Sequence, residues 1–128
     1  MLNRSGIKKT TATASTQILG DVSWQVGIGI IVAAAAGTAG SDGRKIVKAG
    51  TPLTVDPSNL QTAATKIASH ENINDANVVL LHDVDVTDGN ANGTGLVCGI
   101  VNYNRLDSAT QALLKPGDAV SGVFVIAL

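Results

Sequence analysis

Aromatic side chains are almost missing from this chain: one Phe, one Tyr and one Trp, 2% of 128 residues. Any core must therefore be built from Val, Ile, Leu and Ala, and with hydrophobic residues at 45% there is enough material for one. Cysteine occurs once, as Cys98, which excludes an intrachain disulfide and a Cys-rich zinc site and leaves the role of a small buried hydrophobe. There is no basic excess. The net charge is −1, and the Lys and Arg residues are scattered without aromatic neighbours, so no nucleic-acid partner is expected. No apolar run is long enough to cross a bilayer. The longest, Val26 to Ala36, reads as a buried strand, and no membrane partner is expected. No secretory leader is expected either, because Arg4, Lys8 and Lys9 are followed by Thr, Ala and Ser in place of an apolar stretch; synthesis in a cytoplasm is the expectation.

The chemistry of known active sites is equally sparse. GIGII does not match the dinucleotide fingerprint, and SDGRK lacks the phosphate-loop spacing. His82, Asp83 and Cys98 include a possible nucleophile and base, but no oxyanion site is marked near them. Asp83, Asp85, Asp88, Asn90 and Asn92 are hard oxygen ligands on one stretch, and a calcium-dependent binding module is the alternative they raise. The acids do not keep EF-hand spacing, and no bidentate Glu follows. Asp, Asn and Gly are also the residues of a polar turn. The expectation is no catalytic residue, no metal and no cofactor.

What is present favours strands. Fourteen glycines and many Val, Thr and Ala residues suit short strands and tight turns, and a chain of this length fits one domain that buries roughly two-thirds of its unfolded surface. The reading is mainly β with one or two short helices (α+β): an arm over residues 1–20 and a single domain over 21–128. The arm carries three bases and no acid, shows no apolar period, and is expected to be mobile and to bind a partner surface through Arg4, Lys8, Lys9, Thr10, Thr11, Thr13, Ile18 and Leu19.

The centre of the domain is expected at Val78 to Val101, two aliphatic runs around Asp-Gly-Asn-Ala-Asn-Gly, read as a hairpin with a wide polar tip. Parity pairs Val86 with Thr94, Val84 with Leu96, His82 with Cys98 and Leu80 with Ile100. Upstream, Val22 to Gly27 around Trp24 and then Ile28 to Ala36 read as strands, with Gly27 and Gly29 permitting a bulge. Lys45 to Lys48 reads as an edge strand, and Pro52 should hold its segment off a central ladder. Asp56 and Pro57 look like a helix start, with Leu60, Ala63, Ala64, Ile67 and Ala68 at helical spacing, although Thr62 and Thr65 also suit extended pieces. Downstream, Asp107 or Ser108 should cap a short helix through Leu114, and Ala119 to Ala127 should form the last strand. Apolar surface at Val84, Leu96 and Phe124 exceeds what one thin sheet can cover, and it is expected to be buried between subunits.

KAGTPLTVD (Lys48 to Asp56) and VVLLHDVDVTDGNANGTGLVCGIVNYNRLD (Val78 to Asp107), with LLHDVDVT as the most specific string, resemble phage head decoration proteins, the lambda-type capsid stabilisers and related head fibre proteins. The likeness sits on Thr51-Pro52-Leu53, Asn77 to Thr87 and Gly95 to Leu106, and covers roughly Lys48 to Leu128. It implies a small β-tulip domain that binds the major capsid protein as a homotrimer on the outer surface of the virion, steadies the head against packaged DNA, and uses an N-terminal arm for attachment. The base of a head fibre is a second possibility within the same resemblance.

Overall fold

The computed structural model describes Ile18, Leu19 and residues 25–128. These residues form the mainly β fold with short helices that composition implies. The strands are β1 (Gln25–Val32), β2 (Thr38–Ala39), β3 (Lys45–Val47), β4 (Pro52–Thr54), β5 (Thr65–Lys66), β6 (Val78–Leu80), β7 (Val84–Asp85), β8 (Ala91–Asn102), β9 (Ala119–Val120) and β10 (Gly122–Ile126). Short 3-10 helices lie at Ala34–Ala36, His70–Asp75 and Tyr103–Arg105, and the one α-helix among the described residues is α1 (Ser108–Gln111).

β8 is the organising strand, and both of its edges are used. Along one edge runs β1, antiparallel, from Gln25 opposite Gly99 to Val32 opposite Ala91. Leu19 extends that edge by a bridge to Val101, and Asn102 N–H donates to the Ile18 carbonyl at 2.7 Å. Along the other edge lie β6, antiparallel at Leu96 and Gly95, and then β10, parallel from Cys98 to Asn102. The full order is β9-β10-β8-β6-β4-β5, with β1 on the far edge of β8; β2-β3-β7 make a second, smaller sheet.

At β6 the large sheet is buried on both faces, which is why that strand reads VVL with no polar alternation. Val79 joins Leu96, Val101, Val123 and Val125 in a core that also takes in Ile73 and Tyr103 from two of the 3-10 segments, Leu113 and Leu114 just after α1, and the Ile18-Leu19 pair. Val78 and Leu80 face the other way, into a core with Ile30, Val32, Val47, Val84 and Val86, closed by the smaller sheet. Leu96 and Val101 share a core despite their odd spacing because β8 carries an extra residue: Val26 pairs with Cys98 and Gly27 with Leu96, so Val97 bulges out. The bulge lies opposite Gly27 but in β8, not in β1, where the glycines were expected to permit one.

Two glycines of β8 bare the face against which the second core packs. A Cβ on Gly93 would stand 2.9 Å from Val84 and 3.1 Å from Val32, and one on Gly95 would stand 3.2 Å from Val78. β8 is thus bare where the second core presses on it.

Several local expectations are corrected. The base of the central hairpin exists, but Leu80 pairs with Gly95 and Val79 with Leu96, not Leu80 with Ile100. Beyond Leu81 the first arm leaves the ladder: Val84 and Asp85 pair with Val47 and Ile46 instead of facing Leu96. β3 is consequently the middle strand of three, not an edge. Pro52 does sit inside a sheet, between β6 and β5. Leu80 N–H donates to the Thr51 carbonyl and Asn77 N–H to the Leu53 carbonyl, so the β6 side needs no donor from Pro52. On its other side β5 reaches only Leu53 and Thr54.

The helix expected over 57–69 is absent. Asp56 accepts from Ser58 N–H and Oγ at 2.9 and 2.6 Å, Asn59 accepts from Gln61 N–H at 3.1 Å, and these side chains hold turns. Ala64 is then claimed by β1, donating to the Ile31 carbonyl at 2.6 Å and accepting from Ala33 N–H at 3.0 Å. Ala64 enters the second core and Ile67 the first, so the apolar set that suggested one helical face is split between the two faces of a sheet. Of the α1 expectation the cap holds, with Asp107 accepting from Ala109 N–H at 3.2 Å, but the helix ends at Gln111 instead of running through Leu114; beyond it only a turn remains, in which Leu114 N–H reaches the Thr110 carbonyl. The last strand is two pieces, because Ser121 takes a positive φ of 53° and reverses β9 onto β10.

Candidate interaction surface

The cover supplied by the smaller sheet ends before the large sheet does. Val32, Ile30, Ile28 and Val26 point to one face of β1, and their exposure climbs along the strand: Val32 is 0% exposed, Ile30 3%, Ile28 half-buried and Val26 52%. The same face continues across the register. Val26 and Gly122 lie opposite Cys98. Phe124 lies opposite Ile100 on one side and Ala119 on the other. Val123 and Val125 turn inward and are fully buried, so Phe124 turns outward and is 54% exposed. The result is an apolar half-sheet of Val26, Cys98, Ile100, Ala119 and Phe124 with no cover among the described residues. Scattered exposed hydrophobics are ordinary, but a contiguous group on one sheet face marks a contact surface.

Only part of the expected subunit interface lies there. Phe124 is its most prominent member. Val84, 8% exposed, and Leu96, 0% exposed, are packed into the chain's own two cores and have no surface to offer. Val26 and Ile100 were missed by the sequence reading; the signal was the alternation of β1, which stays apolar past the point where the core needs it.

The arm divides in the same way. Arg4, Lys8, Lys9, Thr10, Thr11 and Thr13 lie outside the described residues, as does Trp24. Ile18 and Leu19, expected on a partner, are 1% and 4% exposed in this chain's first core. With their backbone hydrogen-bonded onto the end of β8 and their side chains buried, these two residues gain more from their own domain than a free arm could.

The acids of the LLHDVDVT string hold turns. Asp83 accepts from Ala49 N–H at 2.7 Å, with Lys48 3.8 Å away. Asp85 accepts from Thr87 N–H at 2.9 Å and Thr87 Oγ1 at 2.5 Å, and from Arg44 at 3.1 Å. Those bonds, the Thr87 hydroxyl first, bring the Asp85 carboxyl down to about 2. They fasten β7 and its turn to β3. No group of three or more His, Cys, Asp or Glu among the described residues is placed to hold a metal ion. His82 is exposed and does not face Cys98, whose partners are Val26 and Gly122.

A groove of about 340 Å³ opens between the smaller sheet and α1, with Ile46, Val47 and Leu113 on its floor and Arg44, Lys48 and Lys66 at its rim. A second clamp joins the two ends of the first core, where His70 Nε2 lies 2.8 Å from Asp118, which also accepts from Lys115 N–H at 2.8 Å. No protein-family model, curated protein or solved structure matches the chain.

Proposed function

We propose that this protein is a structural component of a phage head, a decoration protein that assembles as a homotrimer on the outside of the capsid through contact with the major capsid protein. The observation that carries the reading is the uncovered apolar half-sheet around Phe124, which suits burial between copies. The sequence likeness adds to it: Thr51-Pro52-Leu53 and the VVLLHDVDVT stretch, apart in the chain, are neighbours in one ladder, with Pro52 opposite Val79 and Leu53 opposite Val78. The quoted strings therefore describe one structural unit. In this reading the fold is a β-tulip variant, the basic segment ahead of Ile18 attaches to the capsid by strand addition, and simultaneous attachment of three arms multiplies weak contacts. Mixing the purified protein with phage heads stripped of decoration, followed by sedimentation and mass measurement, tests it. Saturable binding in multiples of three is expected; absence of binding to any such head refutes it.

A further inference from the structure

The groove between the smaller sheet and α1 contains a hydrogen-bonding group that the fold leaves unused. Every residue that lines the groove is among the described ones. Thr110 is one of them and is 3% exposed. Its carbonyl accepts from the N–H groups of Leu113 and Leu114 at 2.9 and 3.0 Å. Its methyl group is turned to Gly50, where a Cβ would stand 3.3 Å from it. Gly50 does not line the groove, so the hydroxyl is the part of the side chain that faces it. Thr51, the other buried threonine of the lining, donates its hydroxyl to the Lys48 carbonyl at 2.6 Å. The Thr110 hydroxyl has no such partner among the described residues. Buried hydroxyls are rarely left unbonded, and here an occupant of the groove supplies the missing acceptor.

The rest of the lining sets the chemistry of that occupant. Val47 is buried on the floor, with Ile46 and Leu113 half-buried beside it. Cations stand at the rim. Lys66 has no ion pair among the described residues. Arg44 and Lys48 lie 3.1 and 3.8 Å from Asp85 and Asp83, acids outside the lining, and both cationic side chains are at least half exposed and keep donors to spare. The carboxylates within the lining are already engaged by backbone: Asp42 accepts from Arg44 N–H at 3.0 Å and Asp107 from Ala109 N–H at 3.2 Å. An apolar floor, a cationic rim and one buried donor match an apolar body that ends in a carboxylate. At about 340 Å³ the groove is at the small end of ligand pockets, which run roughly 300–1,000 Å³. We propose that it binds a small monocarboxylic acid as the anion, with the apolar body on Val47 and Leu113 and the carboxylate accepting from the Thr110 hydroxyl and facing the rim cations. This site is separate from the apolar half-sheet and does not rest on the phage-head reading.

Hexanoate titrated into the isotope-labelled full-length chain at low salt, followed by NMR amide shifts, tests it. Saturable shifts are expected at Val47, Lys66 and Leu113, with a dissociation constant on the order of 1 mM. Hexanol, of the same length without the charge, should bind about tenfold more weakly. Added salt should weaken hexanoate and leave hexanol unmoved. Thr110→Val keeps the shape of the side chain and removes the hydroxyl. It should weaken hexanoate about tenfold and leave the melting temperature of the free protein unchanged or higher, since no bond within the chain is lost. No saturable shift at the groove, or hexanol bound as tightly as hexanoate, overturns the inference. So does a Thr110→Val variant that binds hexanoate with parental affinity. One that melts several degrees lower also overturns it, because the hydroxyl is then held within the chain.

Discussion

Adding one methyl group at two glycines on adjacent strands should have opposite effects. Gly93 of β8 and Gly29 of β1 both lie in the paired region, and neither has a positive φ in the left-handed range. Replacing either by Ala removes backbone freedom from the unfolded chain, a gain of about 0.5–1 kcal/mol. At Gly29 a Cβ meets nothing within 4 Å, so the gain stands. At Gly93 it would lie 2.9 Å from Val84, 3.1 Å from Val32 and 3.3 Å from Leu80, three side chains already in contact in the second core. Relieving that crowding requires the smaller sheet to move or rotamers to strain, at about 1–3 kcal/mol. Gly93→Ala should therefore be about 1–3 kcal/mol less stable than Gly29→Ala, and at roughly 3–5 °C per kcal/mol for a domain of this size the melting temperatures should differ by several degrees or more. Thermal unfolding followed by far-UV circular dichroism measures both. Equal melting temperatures, or a higher one for Gly93→Ala, would refute the packing of the smaller sheet onto β8.

Further predictions concern charge and the N-terminus. Asp85 titrates at about 2 when folded, against an ordinary 3.8, so its contribution to stability is fully present above 3.8 and is lost as pH falls toward 2. Asp85→Asn should be less stable than the parent at neutral pH and should show a shallower decline between pH 4 and 2 in a pH series of melting curves. Removing residues 1–17 should abolish attachment to phage heads in a sedimentation assay. Extending the deletion through Leu19 should additionally lower the melting temperature by several degrees, because Ile18 and Leu19 are core residues and losing a large buried side chain costs about 2–5 kcal/mol.

The strand content, the central place of Val78 to Val101 and the Asp107 cap were all legible because each depends on local pattern: β-branched runs, a glycine-rich turn, a capping side chain before a short apolar period. Partner choice was not legible. Val84 and Leu96 sit at a parity that suits a simple hairpin, and only the bare surface of Gly93 and Gly95 lets Val84 serve a second sheet instead. Residues 57–69 carry helical spacing, yet Asp56 and Asn59 turn the chain and β1 captures Ala64, a long-range event that no window of sequence contains. The contact surface was half legible for the same reason. Phe124 stands out in composition, whereas the exposure of Val26 depends on where the smaller sheet stops.

The most direct test of the assembly account is the solution mass and head binding of Phe124→Asp beside the parent, by sedimentation equilibrium and co-sedimentation. Phe124 is 54% exposed, so a charge there should leave the monomer folded, with an unchanged melting curve for the isolated domain. In a trimer the same charge would be buried without a partner, which is strongly unfavourable. The account predicts a trimer for the parent, a folded monomer for the variant, and loss of head decoration by the variant. A variant that keeps the parental mass and decorates heads with parental occupancy would contradict it.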